Sequence, residues 1–217
     1  MRPSRADRLF APSNALTVLS FLADSPGRQF LSSEVQEGTS LSRAGTYLAL
    51  KELVLRALAV REEKGKFHLY SAAHANPLVK QYKVLTNIAC LEPVLARLRP
   101  ISLKIVLFGS ASRGEDSPAS DIDMFILTED PETAAKIPAS FPVERKIQPI
   151  VLAPAEWADF EKREKTFCLE IDRGIILWER TDELGLRRVQ EEGEDPAVFQ
   201  GENAGAQRAR KRRVRPP

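Results

Sequence analysis

Apolar residues recur at helical spacing in the first half of this chain, in strand-length runs through the second half, and without pattern near the C-terminus. Leu16, Leu19, Phe21, Leu22 and Ala23 give residues 14–23 an apolar side, with Ser13 as a candidate N-cap and Asp24-Ser25-Pro26-Gly27 as the stop. Phe30-Leu31 is a short extended piece, Ser32 to Gln36 starts a brief helix, and Gly38-Thr39-Ser40 is a turn. Ser42 opens a longer helix in which Tyr47, Leu48, Leu50, Leu53, Val54 and Leu58 recur at helical spacing. Residues 58–62 and 66–70 then read as the two strands of a hairpin around Lys64-Gly65.

The order helix, short strand, helix, turn, helix, hairpin resembles a winged helix-turn-helix, with residues 42–55 as recognition helix and the Lys64-Gly65 hairpin as wing. The resemblance implies DNA binding. Ser42, Arg43, Thr46 and Lys51 on the helix, and Lys64 and Lys66 with Arg61 on the wing, are the candidates to meet phosphates and base edges. Glu52, Glu62 and Glu63 lie among these cations, so a winged helix used only for protein contact or dimerisation is the other reading. A two-fold DNA site would favour a homodimer.

Asn76-Pro77 begins a further helix with proline in its first turn, and Leu78, Tyr82, Leu85 and Ala89 form one apolar stripe along it. Glu92-Pro93 is expected to break or kink the helix, with residues 94–98 continuing it. The segment is a connecting helix between two domains or a fourth core helix of the first. Residues 103–108, 122–128 and 147–153 read as strands, and 155 to about 165 and 167–173 as helices. Gly174 ends the last helix, and residues 175–178 form a final small strand.

The chemistry concentrates in Leu107-Phe108-Gly109-Ser110-Ala111-Ser112-Arg113-Gly114-Glu115 and Ser120-Asp121-Ile122-Asp123. A strand running into Gly109-Ser110 must turn sharply into a helix. Glycine there lets a phosphate approach the backbone, free N–H groups at the helix start point towards it, and the Ser110 hydroxyl adds a donor. Gly114 gives a second close approach or a tight turn. Asp121 and Asp123 are two apart on the next strand and so share a face. Paired carboxylates suit Mg²⁺, which takes oxygen ligands and substrate phosphates. Phosphoryl transfer asks a protein for positioning and charge neutralisation.

Gly-Ser, then Gly, then Asp-x-Asp between strands resembles the DNA polymerase β-type nucleotidyltransferase superfamily, above all its small members, the minimal nucleotidyltransferases. The likeness covers roughly residues 101–178. Asn76-Pro77-Leu78-Val79 with Gln81-Tyr82-Lys83, ahead of Leu-Phe-Gly-Ser, resembles prokaryotic proteins that fuse a winged helix to this domain. The resemblance implies that Gly109, Ser110 and Gly114 hold a nucleoside triphosphate, and that Asp121 and Asp123 bind Mg²⁺ or Mn²⁺ and serve catalysis. It also implies a third carboxylate on a neighbouring strand. The position that best fits it is Gln148, whose amide offers a carbonyl oxygen but neither negative charge nor a base. Glu144 has the same strand parity but lies about 13 Å away along an extended strand. Pro149 adds an edge or bulge signal.

The expected fold is thus α/β (α+β). A winged helix-turn-helix spans residues 9–73 and a connecting helix 74–99. A mixed-sheet nucleotidyltransferase domain spans 100–180, and a disordered charged tail 181–217. Composition adds limits. Hydrophobic residues at 43% can fill a core, which must be aliphatic because aromatics are only 7%. A net charge of +2 does not by itself announce a nucleic-acid binder. The arginine-rich end from Arg208 to Arg215 could grip phosphates or serve as a solubilising terminus. Cys90 and Cys168 lack metal or redox spacing and fit a reducing compartment. With no membrane-length apolar run and no signal peptide in the basic start, a cytoplasmic protein is the default. His68 and His74 read as structural, Trp157 and Trp178 as packing residues.

Two functions follow. One is Mg-triphosphate binding with nucleotidyl transfer to a protein or small-molecule acceptor, since a domain this small leaves no obvious template channel. The other is a DNA-binding regulator or antitoxin-like protein whose catalytic domain is weakened.

Overall fold

Side-chain capping and local apolar spacing set the first elements. The computed structural model describes residues 13–141 and 145–180; the N-terminal arm, Glu144 and the charged tail lie outside the described residues. Helix α1 (Asn14–Ala23) buries Val18, Leu19, Leu22 and Ala23. Ser13 stands at its N-cap but makes no side-chain cap; its carbonyl accepts the helix's first backbone bond from the Thr17 amide at 3.0 Å and the Thr17 hydroxyl at 3.3 Å. Strand β1 (Phe30–Leu31) leads into α2 (Ser32–Thr39), where Glu34 reaches back to accept the Leu31 amide at 2.7 Å. Helix α3 (Arg43–Leu55) starts from Ser42, whose hydroxyl accepts the Gly45 amide at 3.1 Å.

The packed face of α3 is Thr46, Ala49, Leu50 and Leu53. Tyr47 and Leu48, counted into the apolar period from sequence, are instead 59% and 62% exposed. Strands β2 (Ala59–Lys64) and β3 (Phe67–Ala72) pair antiparallel with Lys64 opposite Phe67. The turn is therefore Gly65-Lys66, one position later than expected, with Gly65 at φ 62°. The small sheet runs β1-β3-β2.

Helix α4 (Pro77–Leu98) carries residues 94–98 as its continuation, as expected, and departs from the sequence reading in its inward face. It continues through Pro93 without a break. Leu91, Val94, Leu95 and Leu98, all buried around that proline, gain enough from packing to outweigh the ~3 kcal/mol that an internal proline costs. Its inward stripe is Val79, Lys83, Val84, Asn87, Leu91, Val94, Leu95 and Leu98. The expected stripe lies partly outside: Leu78 and Leu85 are exposed and line a shallow groove with Leu16, Gln81 and Tyr82.

A 3-10 turn (Arg99–Ile101) leads into β4 (Ser102–Leu107), α5 (Gly109–Arg113), β5 (Ile122–Thr128), α6 (Pro131–Ala139), β6 (Ile147–Leu152), α7 (Pro154–Arg163), α8 (Lys165–Asp172) and β7 (Ile175–Glu179). The sequence reading had no helix where α6 forms, although Asp130 caps it by accepting the Thr133 amide at 3.1 Å and Pro131 fills its first turn. The sheet runs β6-β5-β4-β7, with β5–β6 parallel and the other pairs antiparallel. Strand alternation divides it cleanly. Ile105, Leu107, Ile122, Met124 and Ile126 face α4 and α6. Val106, Phe108 and Phe125 face Trp157 of α7 and Phe167 and Ile171 of α8. A separate cluster fills the N-terminal elements from Val18 to Val79. Among the described residues, no helix is long and apolar enough to cross a membrane.

Candidate functional site

At the end of β4 the chain has to turn back across the sheet's edge, and Gly109 makes that turn at φ 69°. A Cβ at Gly109 would lie 2.1 Å from Asp123 Oδ2. The missing side chain is what allows the Asp123 carboxylate to sit against the turn. The Phe108 amide donates to the Asp123 carbonyl at 3.1 Å and pins turn to strand. Helix α5 is a single turn, tightened by the Ser112 hydroxyl donating to the Gly109 carbonyl at 2.8 Å. Gly114 closes it at φ 66°, and the Glu115 amide donates to the Ser110 carbonyl at 3.1 Å. Glu115 is held in turn by Lys80 at 2.6 Å and Arg113 at 3.1 Å.

Asp121 and Asp123 lie half-buried, and the strand period directs Asp123 to the same face as Phe125. The Asp123 carboxyl is pushed above the ordinary carboxylate range, first by burial, then by the charges of Asp121 and Glu170, while Arg113 pulls it back. Gln148 is the direct neighbour of Asp123 on the parallel strand β6. Glu170 and Arg113 were not singled out from sequence. The T-shaped contact of Phe167 with Phe108, centroids 5.5 Å apart, anchors the helix that carries Glu170. Tertiary packing of that kind leaves no local signature.

Among the described residues, no group of three or more His, Cys, Asp or Glu is placed to hold a metal ion. The donor set on offer would be two carboxylates, with the Gln148 amide on the neighbouring strand. It fits an ion such as Mg²⁺ that draws its remaining ligands from phosphates and water, and does not fit an all-protein cage.

The candidates for DNA contact are dispersed. Arg43 and Lys51 are exposed four residues to either side of Tyr47 and share the outer face of α3. Ser42 is exposed, but its hydroxyl is engaged as the cap. Thr46 does not belong with them: it is 1% exposed and its hydroxyl donates to the Ser42 carbonyl at 3.1 Å. On the hairpin, Lys66 is exposed, while Lys64 donates to Gln29 at 2.9 Å. Arg61 pairs with Glu63 at 3.2 Å, and His68 lies 3.6 Å from the same glutamate. His74 is held below its ordinary pKa by burial and by Lys83. Trp157 packs on Phe125 at 4.7 Å, and the Trp178 indole donates to the Ser102 carbonyl at 3.3 Å.

Residues 92–183 match the family model of polymerase beta, nucleotidyltransferase, which supports the nucleotidyltransferase superfamily for a segment that holds all of β4 to β7. The match starts inside α4 and leaves the N-terminal helices and hairpin outside it. No curated protein and no solved structure matches the chain.

Proposed function

We propose that this chain binds a nucleoside triphosphate with Mg²⁺ or Mn²⁺ at Gly109, Ser110, Gly114, Asp121 and Asp123, and transfers the nucleoside monophosphate to a hydroxyl of a protein or small molecule. The observation that carries the reading is the apposition of the Gly109 turn and the Asp123 carboxylate, which sets an acidic pair directly against the turn whose amides would meet a phosphate. The turn amides and Ser110 would orient the phosphates. Asp121 and Asp123 would hold the cation, which neutralises phosphate charge when bound. The acceptor oxygen would attack the α-phosphorus, the bond to the bridging oxygen would break, pyrophosphate would leave, and the acceptor's proton would pass to water. Gln148 cannot take the acceptor's proton, so turnover would be slow.

That same residue favours a second reading. With an amide beside Asp123, the domain can bind a nucleotide without transferring it, in a regulator or antitoxin-like protein that acts through DNA. In either case the elements of residues 9–73, read as a winged helix, would bring the protein to DNA or to a partner, and α4 would join them to the nucleotide domain.

Labelled ATP, GTP, CTP and UTP, each with Mg²⁺ or Mn²⁺ and cell extract as acceptor source, separate the two. Label transfer that disappears in the Asp121→Ala, Asp123→Ala double variant supports the enzyme. No transfer from any nucleotide, together with specific retention on DNA, overturns it in favour of the regulator.

A further inference from the structure

Behind the phosphate turn lies a buried charge that the proposed chemistry does not use. Asp116 is 2% exposed and Lys83 4%. Buried charges persist when they are paired and their hydrogen bonds are filled. Lys83 Nζ lies 3.6 Å from Asp116 Oδ1 and also donates to the Asp116 carbonyl. The Asn87 side-chain amide donates to the same Oδ1 at 3.1 Å, and Arg145 Nη1 donates to Oδ2. Asn87 donates as well to the carbonyl of Ala111, in α5, at 3.0 Å.

These partners reach Asp116 from separate elements. Lys83 and Asn87 come from α4, and Arg145 lies just before β6, the strand that carries Gln148. Asp116 itself sits in the loop between Gly114 and Asp121. The turn rests on α4 as on a wall, since a Cβ at Gly114 would lie 2.2 Å from the Lys80 carbonyl. An apolar side chain at the Asp116 position would bury as well but would not fix direction, and buried ion pairs are often no more stabilising than apolar replacements. What a directional hub supplies is register among α4, the phosphate turn and the segment that enters β6.

We propose that Asp116 is a positioning residue for the nucleotide site, acting through Lys83, Asn87 and Arg145 to hold these three elements in register. This rests on the nucleotide-binding reading above.

The test uses the full chain with Asp116→Asn, Arg145→Gln and the double variant, checked for folding by circular dichroism. The probes are MgATP and magnesium tripolyphosphate, measured by calorimetry. Asp116→Asn is expected to weaken both by a similar factor of about tenfold, placing the loss in the phosphates, and Arg145→Gln on top of it should add little. A lowered melting temperature with unchanged affinity for both probes overturns the proposal. Where the parent protein binds neither probe, it is the nucleotide reading that fails. Hydrogen exchange then decides the hub: faster exchange in Asp116→Asn confined to residues 109–121 and 145–150 supports it, and unchanged or evenly spread exchange overturns it.

Discussion

Gln148 lies directly beside Asp123 across the parallel β5–β6 pair, so an amide occupies the position from which a third carboxylate would face the first two. Neighbouring strands are about 4.8 Å apart, close enough for both side chains to touch one cation. Gln148→Asp adds a charge there without changing the backbone. Mn²⁺ affinity, followed by electron paramagnetic resonance, should rise about tenfold, or ~1.4 kcal/mol. Label transfer should rise with it. Unchanged affinity would mean that Gln148 does not face the acidic pair.

Asp123 itself yields a prediction on pH. Its carboxyl is raised above the ordinary 3.8 by burial, Asp121 and Glu170. The folded state therefore holds this proton more tightly than the unfolded chain does. The resulting penalty on stability is absent below the ordinary value, grows as pH rises through it, and is complete above the raised value. Asp123→Asn should thus melt higher than the parent at pH 7, and the difference should vanish in acid. Cation binding needs the ionised form, so Mg²⁺ affinity in the parent should fall as pH drops through the raised value. Equal melting temperatures at pH 7 would count against burial and like charge as the cause.

The parts of the site legible in sequence are those set by adjacent residues. Gly109, Ser110, Gly114, Asp121 and Asp123 could be read because a turn and a strand of period two place them locally. Gln148 could be singled out because the resemblance implies an acid on a neighbouring strand, and β6 sets that residue beside Asp123. Asp116, Lys83 and Arg145 could not, since they meet only after α4 packs behind the turn. Lys83 and Asn87 also disguised the buried stripe of α4, which looks polar until Asp116 is known to meet it. At Pro93 a break and a kink stayed open in sequence, because the local cost of a proline is visible there while the packing that keeps the helix continuous is not. Thr46 misled because a polar residue on a helix read as DNA-facing can spend its hydroxyl on its own backbone.

The two glycines of the turn should fail differently when given a methyl group. Both hold positive φ, which costs an alanine ~1–2 kcal/mol. At Gly109 the new Cβ would meet a carboxylate that can swing away. Gly109→Ala should therefore fold but lose MgATP affinity, because Asp123 is displaced. At Gly114 the Cβ would meet the backbone carbonyl of Lys80, which cannot yield without moving α4. Gly114→Ala should be the less stable of the two in urea. The opposite ranking would contradict the geometry of the turn.

On α3 the outer face mixes cations with large apolar groups, and the two kinds of residue can be tested apart. Tyr47→Ala and Leu48→Ala should leave stability within about 0.5 kcal/mol, because both side chains are exposed. Leu50→Ala, at 1% exposure, should cost ~2–5 kcal/mol. If the face meets DNA, replacing Arg43 and Lys51 by alanine should weaken retention on duplex DNA. The log–log salt slope should then fall by ~0.9 for each phosphate that the protein no longer neutralises. Titration at several salt concentrations measures both effects. Should the slope stay unchanged while Tyr47→Ala with Leu48→Ala dissolves a self-association seen in ultracentrifugation, the helix serves protein contact, and DNA binding drops out of the functional reading.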